Sequence, residues 1–265
     1  MIVSKKIYYG KAPSQFGFLN LPQEKRDKYT TIVTIHGGFW QSFADLTQLQ
    51  TLTNGLNQRG YAVWNIEYRR IGETGAGWPG TFNDVIDAIN FLTELAHSWP
   101  IDKQSVIILG HSAGGHLALW AGLRYRNQAL DHSDNIHRLS VKPRMVVSLA
   151  AVSNLEDAWQ RDTVMGKHSP VTDLMAGTPA NKKVDYQSAS PLDCLPMGIP
   201  QILVQGLKDD FVPSSMTIQY AEKAEKLHDH IELILDPDAD HFDLINPHTR
   251  VWQKTIVAMK ETLKA

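Results

Sequence analysis

Three short motifs carry residue types suited to nucleophilic chemistry. The first is Gly110-His111-Ser112-Ala113-Gly114, directly after the apolar run Ser105–Leu109 and directly before an Ala/Leu-rich stretch. A serine between two glycines, where a strand passes into a helix, is the pattern of a nucleophile elbow. The turn is too sharp for side chains at Gly110 and Gly114, and it holds Ser112 in a strained conformation with its hydroxyl above the sheet end. The helix start beneath it favours developing negative charge. A glycine-rich turn with an incidental serine is the plainer alternative. The strand before and the helix after weigh against it.

The second motif is His36-Gly37-Gly38-Phe39-Trp40, after the run Thr31–Ile35. Two glycines past a strand end let backbone N–H groups face a cavity. The expected oxyanion donors are the N–H groups of Gly38 and Phe39, with that of Ala113, the residue after the nucleophile. His36 reads as a structural residue that hydrogen-bonds this loop rather than as the base.

A serine nucleophile needs a histidine to take its proton and a carboxylate to orient that histidine. His116, His132, His137, His168, His228, His230, His241 and His248 follow Ser112. Two loops after late apolar runs fit: Gly206-Leu-Lys-Asp209-Asp210 and Asp240-His241-Phe242. The expected acid is Asp209 and the expected base His241. Asp210 is the alternative acid, with bracing of the turn as its own expected role. Asp236, Asp238 and Asp240 alternate like part of a calcium loop, but the glycine and distal glutamate of an EF-hand are missing. No H-E-x-x-H or C-x-x-C occurs, so no metal and no cofactor are expected.

The elements that must position these residues read as an α/β fold, a mostly parallel sheet covered by helices on both faces. Strand-like runs are Thr31–Ile35, Tyr61–Ile66, Ser105–Leu109, Met145–Val152, Ile199–Gln205 and Ile231–Leu235. Helical patterns cover Thr81–Trp99, Ala113–Tyr125, Ser214–Leu227 and Pro247–Leu263. Residues 153–198 break the alternation with prolines and no strong strand, and read as a lid- or cap-like insertion or a helical crossover over the sheet. One domain over 1–265 is expected, because Ser112, Asp209 and His241 must meet at one sheet edge.

Composition excludes other classes. The chain has 265 residues, net charge −2, and one cysteine, Cys194. There is no basic field for nucleic acid, no intrachain disulfide, and no apolar run near the ~20 residues of a membrane helix. Residues 1–21 lack the apolar stretch of a signal peptide. A cytoplasmic protein is expected, with a small-molecule partner and, at most, a second copy of itself.

The chain resembles the α/β-hydrolase fold family over nearly its whole length. Within it, His36-Gly-Gly-Phe-Trp40, Gly110-His-Ser-Ala-Gly-Gly-His-Leu-Ala118 and Asp240-His-Phe-Asp-Leu-Ile245 resemble the motifs of kynurenine formamidase-like small bacterial esterases. Glu67-Tyr-Arg-Arg70 and Gly77-Trp-Pro-Gly80 are similar to segments of bacterial members. In that family the second glycine and the next residue form the oxyanion hole, which corresponds to Gly38 and Phe39. The resemblance implies a serine hydrolase cleaving a small carboxylic ester or amide through an acyl-enzyme. The alternatives are an arylformamidase acting on N-formylkynurenine-like substrates and a non-catalytic ligand-binding member. Trp40, Tyr68, Trp78 and Phe242, with Trp159, are candidate substrate contacts; core or lid packing is the plainer role for most.

Overall fold

The computed structural model describes residues 3–126 and 135–264. Eight strands form one sheet: β1 (Val3–Tyr8), β2 (Phe16–Leu21), β3 (Tyr29–Ile35), β4 (Ala62–Ile66), β5 (Ile101–His111), β6 (Pro143–Leu149), β7 (Gln201–Gly206) and β8 (Ile231–Asp236). Their order is β1-β2-β4-β3-β5-β6-β7-β8. The six strands from β4 to β8 pair in parallel. β1 and β2 form an antiparallel edge on β4 that the run pattern did not reveal. β1 reads Val-Ser-Lys-Lys-Ile-Tyr, and an exposed edge strand needs no continuous apolar run.

The central strands are apolar on both faces because both faces are covered. Val33, Ile35 and Ile108 feed one core cluster, while their neighbours Ile32, Ile107 and Leu109 feed another. That is the period of two expected of a pleated strand. On the first face lie α2 (Gly80–Asn90), α3 (Leu92–Ser98), α4 (Ala113–Arg126) and α8 (Ser214–Lys226). On the second lie α1 (Gln50–Gln58) and α9 (Arg250–Lys264), through Leu52, Leu56, Trp252, Ile256 and Met259. The helix expected over 81–99 is two helices that meet at Phe91, whose N–H bonds back to both Asp87 and Ile89 carbonyls.

Residues 153–198 contain three short helices between β6 and β7: α5 (Leu155–Val164), α6 (Pro170–Met175) and α7 (Lys183–Ala189). Asn154 caps α5 by accepting from the N–H groups of Glu156 and Asp157, and Ser169 caps α6. The base of the segment is tied to α4, where Trp120 donates to the Ser188 carbonyl at 3.0 Å. Its tip is exposed at Val164 and Met165.

The chain winds from β3 outward to β4, then returns past β3 to β5. The loops after β3 and β5 therefore leave in opposite senses and open a crevice at the carboxyl ends of the strands. Both chemistry-bearing motifs of the first half of the chain sit there.

Candidate active site

The elbow is built by exclusion. Gly110 pairs with Ile35 on the neighbouring strand. A Cβ on Gly110 would lie 2.0 Å from the Gly114 carbonyl oxygen, and one on Gly114 would lie 2.1 Å from that of Ile35. Only glycines let the helix start so close to the strands. Ser112 has φ +57, a left-handed conformation that costs a non-glycine residue about 1–2 kcal/mol. Its N–H is fixed to the Leu149 carbonyl of β6 at 2.8 Å. Its hydroxyl meets no hydrogen-bond partner among the described residues.

The loop after β3 carries three successive positive φ values, at Gly38, Phe39 and Trp40. It presses on Ser112, since a Cβ on Gly37 would touch the His111 carbonyl and the Ser112 Cβ, both at 2.9 Å. Three sets of partners hold this shape. Gln48 Oε1 accepts from the Gly37 N–H at 2.8 Å. Trp40 Nε1–H donates to His116 Nδ1 at 3.2 Å. His36, fully buried, meets Glu67 Oε1 through Nε2 at 2.8 Å and stacks on Tyr68, whose hydroxyl donates to the His36 carbonyl. Glu67 in turn accepts from the Leu46 N–H and pairs with Arg70 at 3.3 Å. His36 thus braces the loop. The N–H groups of Gly38, Phe39 and Ala113 donate to no group among the described residues.

Asp209 and His241 come together across 32 residues of chain, with His241 Nδ1 2.7 Å from Asp209 Oδ2. The other carboxylate oxygen accepts from the N–H groups of Phe211 and Val212, at 2.8 and 2.9 Å. Gln205 Nε2 donates to Oδ2 at 3.0 Å. Burial pushes the Asp209 carboxyl up, but the His241 hydrogen bond, its charge and the two backbone N–H groups outweigh that and hold it below the usual carboxylate range. A carboxylate so held fixes the tautomer of His241 with Nδ1–H donating, which leaves Nε2 able to accept a proton. Asp210 is exposed and does not reach His241; Asp209 itself makes the turn-bracing bonds expected of Asp210. Gln205 escaped the sequence reading because it ends an apolar strand run and looks like a strand residue; a buried amide at a strand's carboxyl end is the signal that was there to use.

The other histidines stand elsewhere. His116 Nε2–H donates to the Ala189 carbonyl, and burial lowers its pKa to about 4, so it stays neutral between Trp40 and α7. His137 and His168 pair with Asp87 and Asp173 at the surface. His132 lies outside the described residues. Asp236 and Asp238 are engaged by Arg250, Lys254 and Lys208, and Asp240 accepts from the N–H groups of Phe242 and Asp243.

A cavity of about 180 Å³ lies beside this constellation. Phe39 and Trp40 wall one side, Phe211 and Val212 another, and Ala158, Arg161 and Asp162 of α5, with Met165 just past its end, close it. Of the aromatics expected to contact substrate, Trp40 lines the cavity. Tyr68 does not, because it is fully buried behind His36. Trp78 does not, because it packs edge-on against Phe82 and Trp120 in the core, and Trp159 also packs on the core. Phe242 stands half-exposed on the rim, 5.6 Å from Phe211. Sequence reading missed Phe211, which stands 4.9 Å from the His241 ring, and the charged residues of α5.

An eight-stranded, mostly parallel sheet with these loops at its carboxyl ends defines the α/β-hydrolase class. More narrowly, residues 19–224 match the model of the BD-FAE family, and the chain belongs to that family. It is similar to Esterase LipC of Mycobacterium tuberculosis (strain ATCC 25618 / H37Rv), 22% identical over 91% of this chain. The chain spans 60% of that relative's length. Esterase B from Lactobacillus rhamnosis superposes with a TM-score of 0.84 at 19% identity, over 99% of this chain and 85% of its own. A truncated carbohydrate esterase from gut microbiota gives 0.84 at 20% identity, over 99% and 97%. No helix among the described residues is long and apolar enough to cross a membrane.

Proposed function

We propose that the protein is a serine carboxylesterase cleaving small carboxylic esters through an acyl-enzyme. The observation that carries this reading is the 2.7 Å Asp209–His241 pair at the sheet edge where Ser112 stands at positive φ. His241 Nε2 takes the Ser112 proton as Oγ attacks the ester carbonyl. The new oxyanion accepts from the N–H groups of Gly38, Phe39 and Ala113. His241 then protonates the leaving alkoxide, and water, deprotonated by the same ring, releases the acid. Asp209 stays ionised throughout and stabilises the imidazolium. The names of the similar proteins, all esterases, support the reaction class. The modest cavity suits a short acyl or alcohol group.

Ser112→Ala is expected to abolish turnover of p-nitrophenyl butyrate, by about 10⁴-fold or more. Unchanged turnover would remove Ser112 from the mechanism. Labelling by a fluorophosphonate probe separates this reading from a non-catalytic, ligand-binding member of the fold, since only an activated serine reacts.

Arylformamidase activity is the second reading. The observation in its favour is the cavity itself, where apolar walls carry Arg161, Lys167, Asp162 and Asp210, none of them in an ion pair among the described residues. Charges of both signs beside aromatic rings match the ammonium, carboxylate and ring of an aromatic amino acid derivative. Comparison of N-formylkynurenine with p-nitrophenyl acetate and butyrate tests it; a large preference for the simple esters counts against it.

A further inference from the structure

His111, the residue between the elbow glycine and Ser112, is used by neither motif reading. It is fully buried, and its side chain spans 130 residues of chain to reach the carbonyl of His241 through Nε2 at 3.0 Å. A carbonyl only accepts, so Nε2 carries the proton and donates. Nδ1 is then a bare acceptor, buried and without a hydrogen-bond partner. The ring lies 4.5 Å from the His241 ring, tilted by 49°.

The topology explains why such a bond is needed. His111 ends β5, whereas His241 follows β8, and β6 and β7 lie between them. At roughly 4.8 Å per strand the two strands are about 14 Å apart. The histidine loop must therefore fold back over two strand ends to bring its imidazole to Ser112. Near its start the loop is fastened to β7's exit, by Leu207 N–H to the Asp236 carbonyl and Lys208 N–H to the Ala239 carbonyl. At the working end, Asp209 holds the His241 side chain and His111 holds its main chain.

We infer that His111 is a positioning residue that ties the backbone of the general base to the nucleophile strand, setting the reach of His241 Nε2 toward Ser112. This rests on the serine-hydrolase reading above. The donor must be uncharged, because the neighbouring His241 ring becomes a cation in the reaction and a second cation 4.5 Å away would oppose it. Burial, and the proximity of His241, lower the His111 pKa to about 3, so the ring meets that need while donating. The unsatisfied Nδ1 is the cost of a ring that donates on one side only.

The test compares three variants of the full chain with p-nitrophenyl butyrate, alongside thermal unfolding. His111→Phe keeps a ring but removes the donor. His111→Gln keeps an uncharged N–H at nearly the reach of Nε2. His111→Asn has the same amide but falls short. The expected result is a kcat loss of roughly 10- to 100-fold in the Phe and Asn variants, with KM within about threefold of wild type. The Gln variant should recover most of kcat. If the Phe variant fails to fold, the Gln–Asn difference decides the matter. Wild-type kcat in the Phe variant, or equal losses in Gln and Asn, would overturn the inference while leaving the serine-hydrolase reading intact. A wild-type chain inert toward esters and fluorophosphonate alike would overturn both.

Discussion

The elbow and the tip of the α5–α6 segment, where Met165 and Lys167 line the cavity, obey opposite constraints. At the elbow no atom has room: added methyl groups at Gly110 and Gly114 would collide with backbone oxygens at 2.0 and 2.1 Å. At the segment tip, Gly166 has positive φ, yet a Cβ there would meet nothing within 4 Å. Ser112 is held through its backbone and the Asp209–His241 pair by a hydrogen bond that is itself braced by two backbone N–H groups. The cavity walls mix buried side chains such as Trp40 and Val212 with exposed ones such as Phe211 and Met165, and they carry charges that form no ion pair among the described residues. Under the proposed function, chemistry and selectivity fall to parts of the molecule with different tolerance to change.

The largest effect is expected at Ser112, Asp209 and His241. Asp209→Asn should lower kcat by about 10⁴-fold, because the amide stabilises the wrong His241 tautomer, with thermal stability changed far less. Steady-state kinetics with calorimetry would show it; a loss under tenfold would argue that another group orients His241. Next in size, Gly114→Ala should destabilise the fold by about 3 kcal/mol or more, read as loss of soluble protein or a lowered urea midpoint. Gly166→Ala provides the counterpart at the open tip. It should cost only about 1 kcal/mol, from backbone strain alone.

Acid should weaken the rigid side of the site first. His111 and His116 are buried, with pKa values lowered to about 3 and about 4. In the unfolded chain each takes up a proton near pH 6.5, while the folded protein does not. The unfolded state therefore binds more protons between pH 6.5 and about 4, and stability falls on acidification through that window. The slope is about 1.4 kcal/mol per pH unit for each ring. Urea midpoints from pH 7 to 4.5 would measure it, and His116→Asn should flatten the dependence while lowering stability at pH 7. Asp209 acts at lower pH in the same direction. Its depressed carboxyl stabilises the fold above the ordinary carboxylate range, and that contribution disappears as pH falls through its folded value.

The smallest effect is expected at the cavity wall. Arg161→Ala on α5 should leave stability within about 0.5 kcal/mol of wild type. It should change KM several-fold for substrates bearing a carboxylate and little for neutral esters. Equal KM values for both substrate kinds would show that Arg161 plays no part in recognition.

Much of this was legible in the residues because the motifs are local and steric. A glycine that must lie against a carbonyl leaves its mark at one position, so Gly110, Gly114 and the Gly37-Gly38 pair announce their loops. Buried parallel strands are apolar on both faces, so the five inner ones were visible as runs, and the edge strand β8 was visible through its Leu233-Ile234-Leu235. The edge pair β1–β2 was not, because Lys5 and Lys6 on β1 meet solvent and alternate like a loop. The aromatic candidates were ambiguous for a related reason: a tryptophan is equally suited to a wall or a core. Only packing decided that Trp40 lines the cavity while Trp78 and Tyr68 do not.

The sequence by itself therefore determined the class of sheet, the two glycine-framed loops and the candidate nucleophile, since each depends on steric rules acting within a few residues. Tertiary structure decided which of two adjacent carboxylates meets His241, and how the loop after β8 folds back over two strand ends to meet His111. It also decided which charges remain unpaired beside the cavity. Those outcomes depend on the direction in which side chains from distant strands converge, and one sequence position contains no record of that direction.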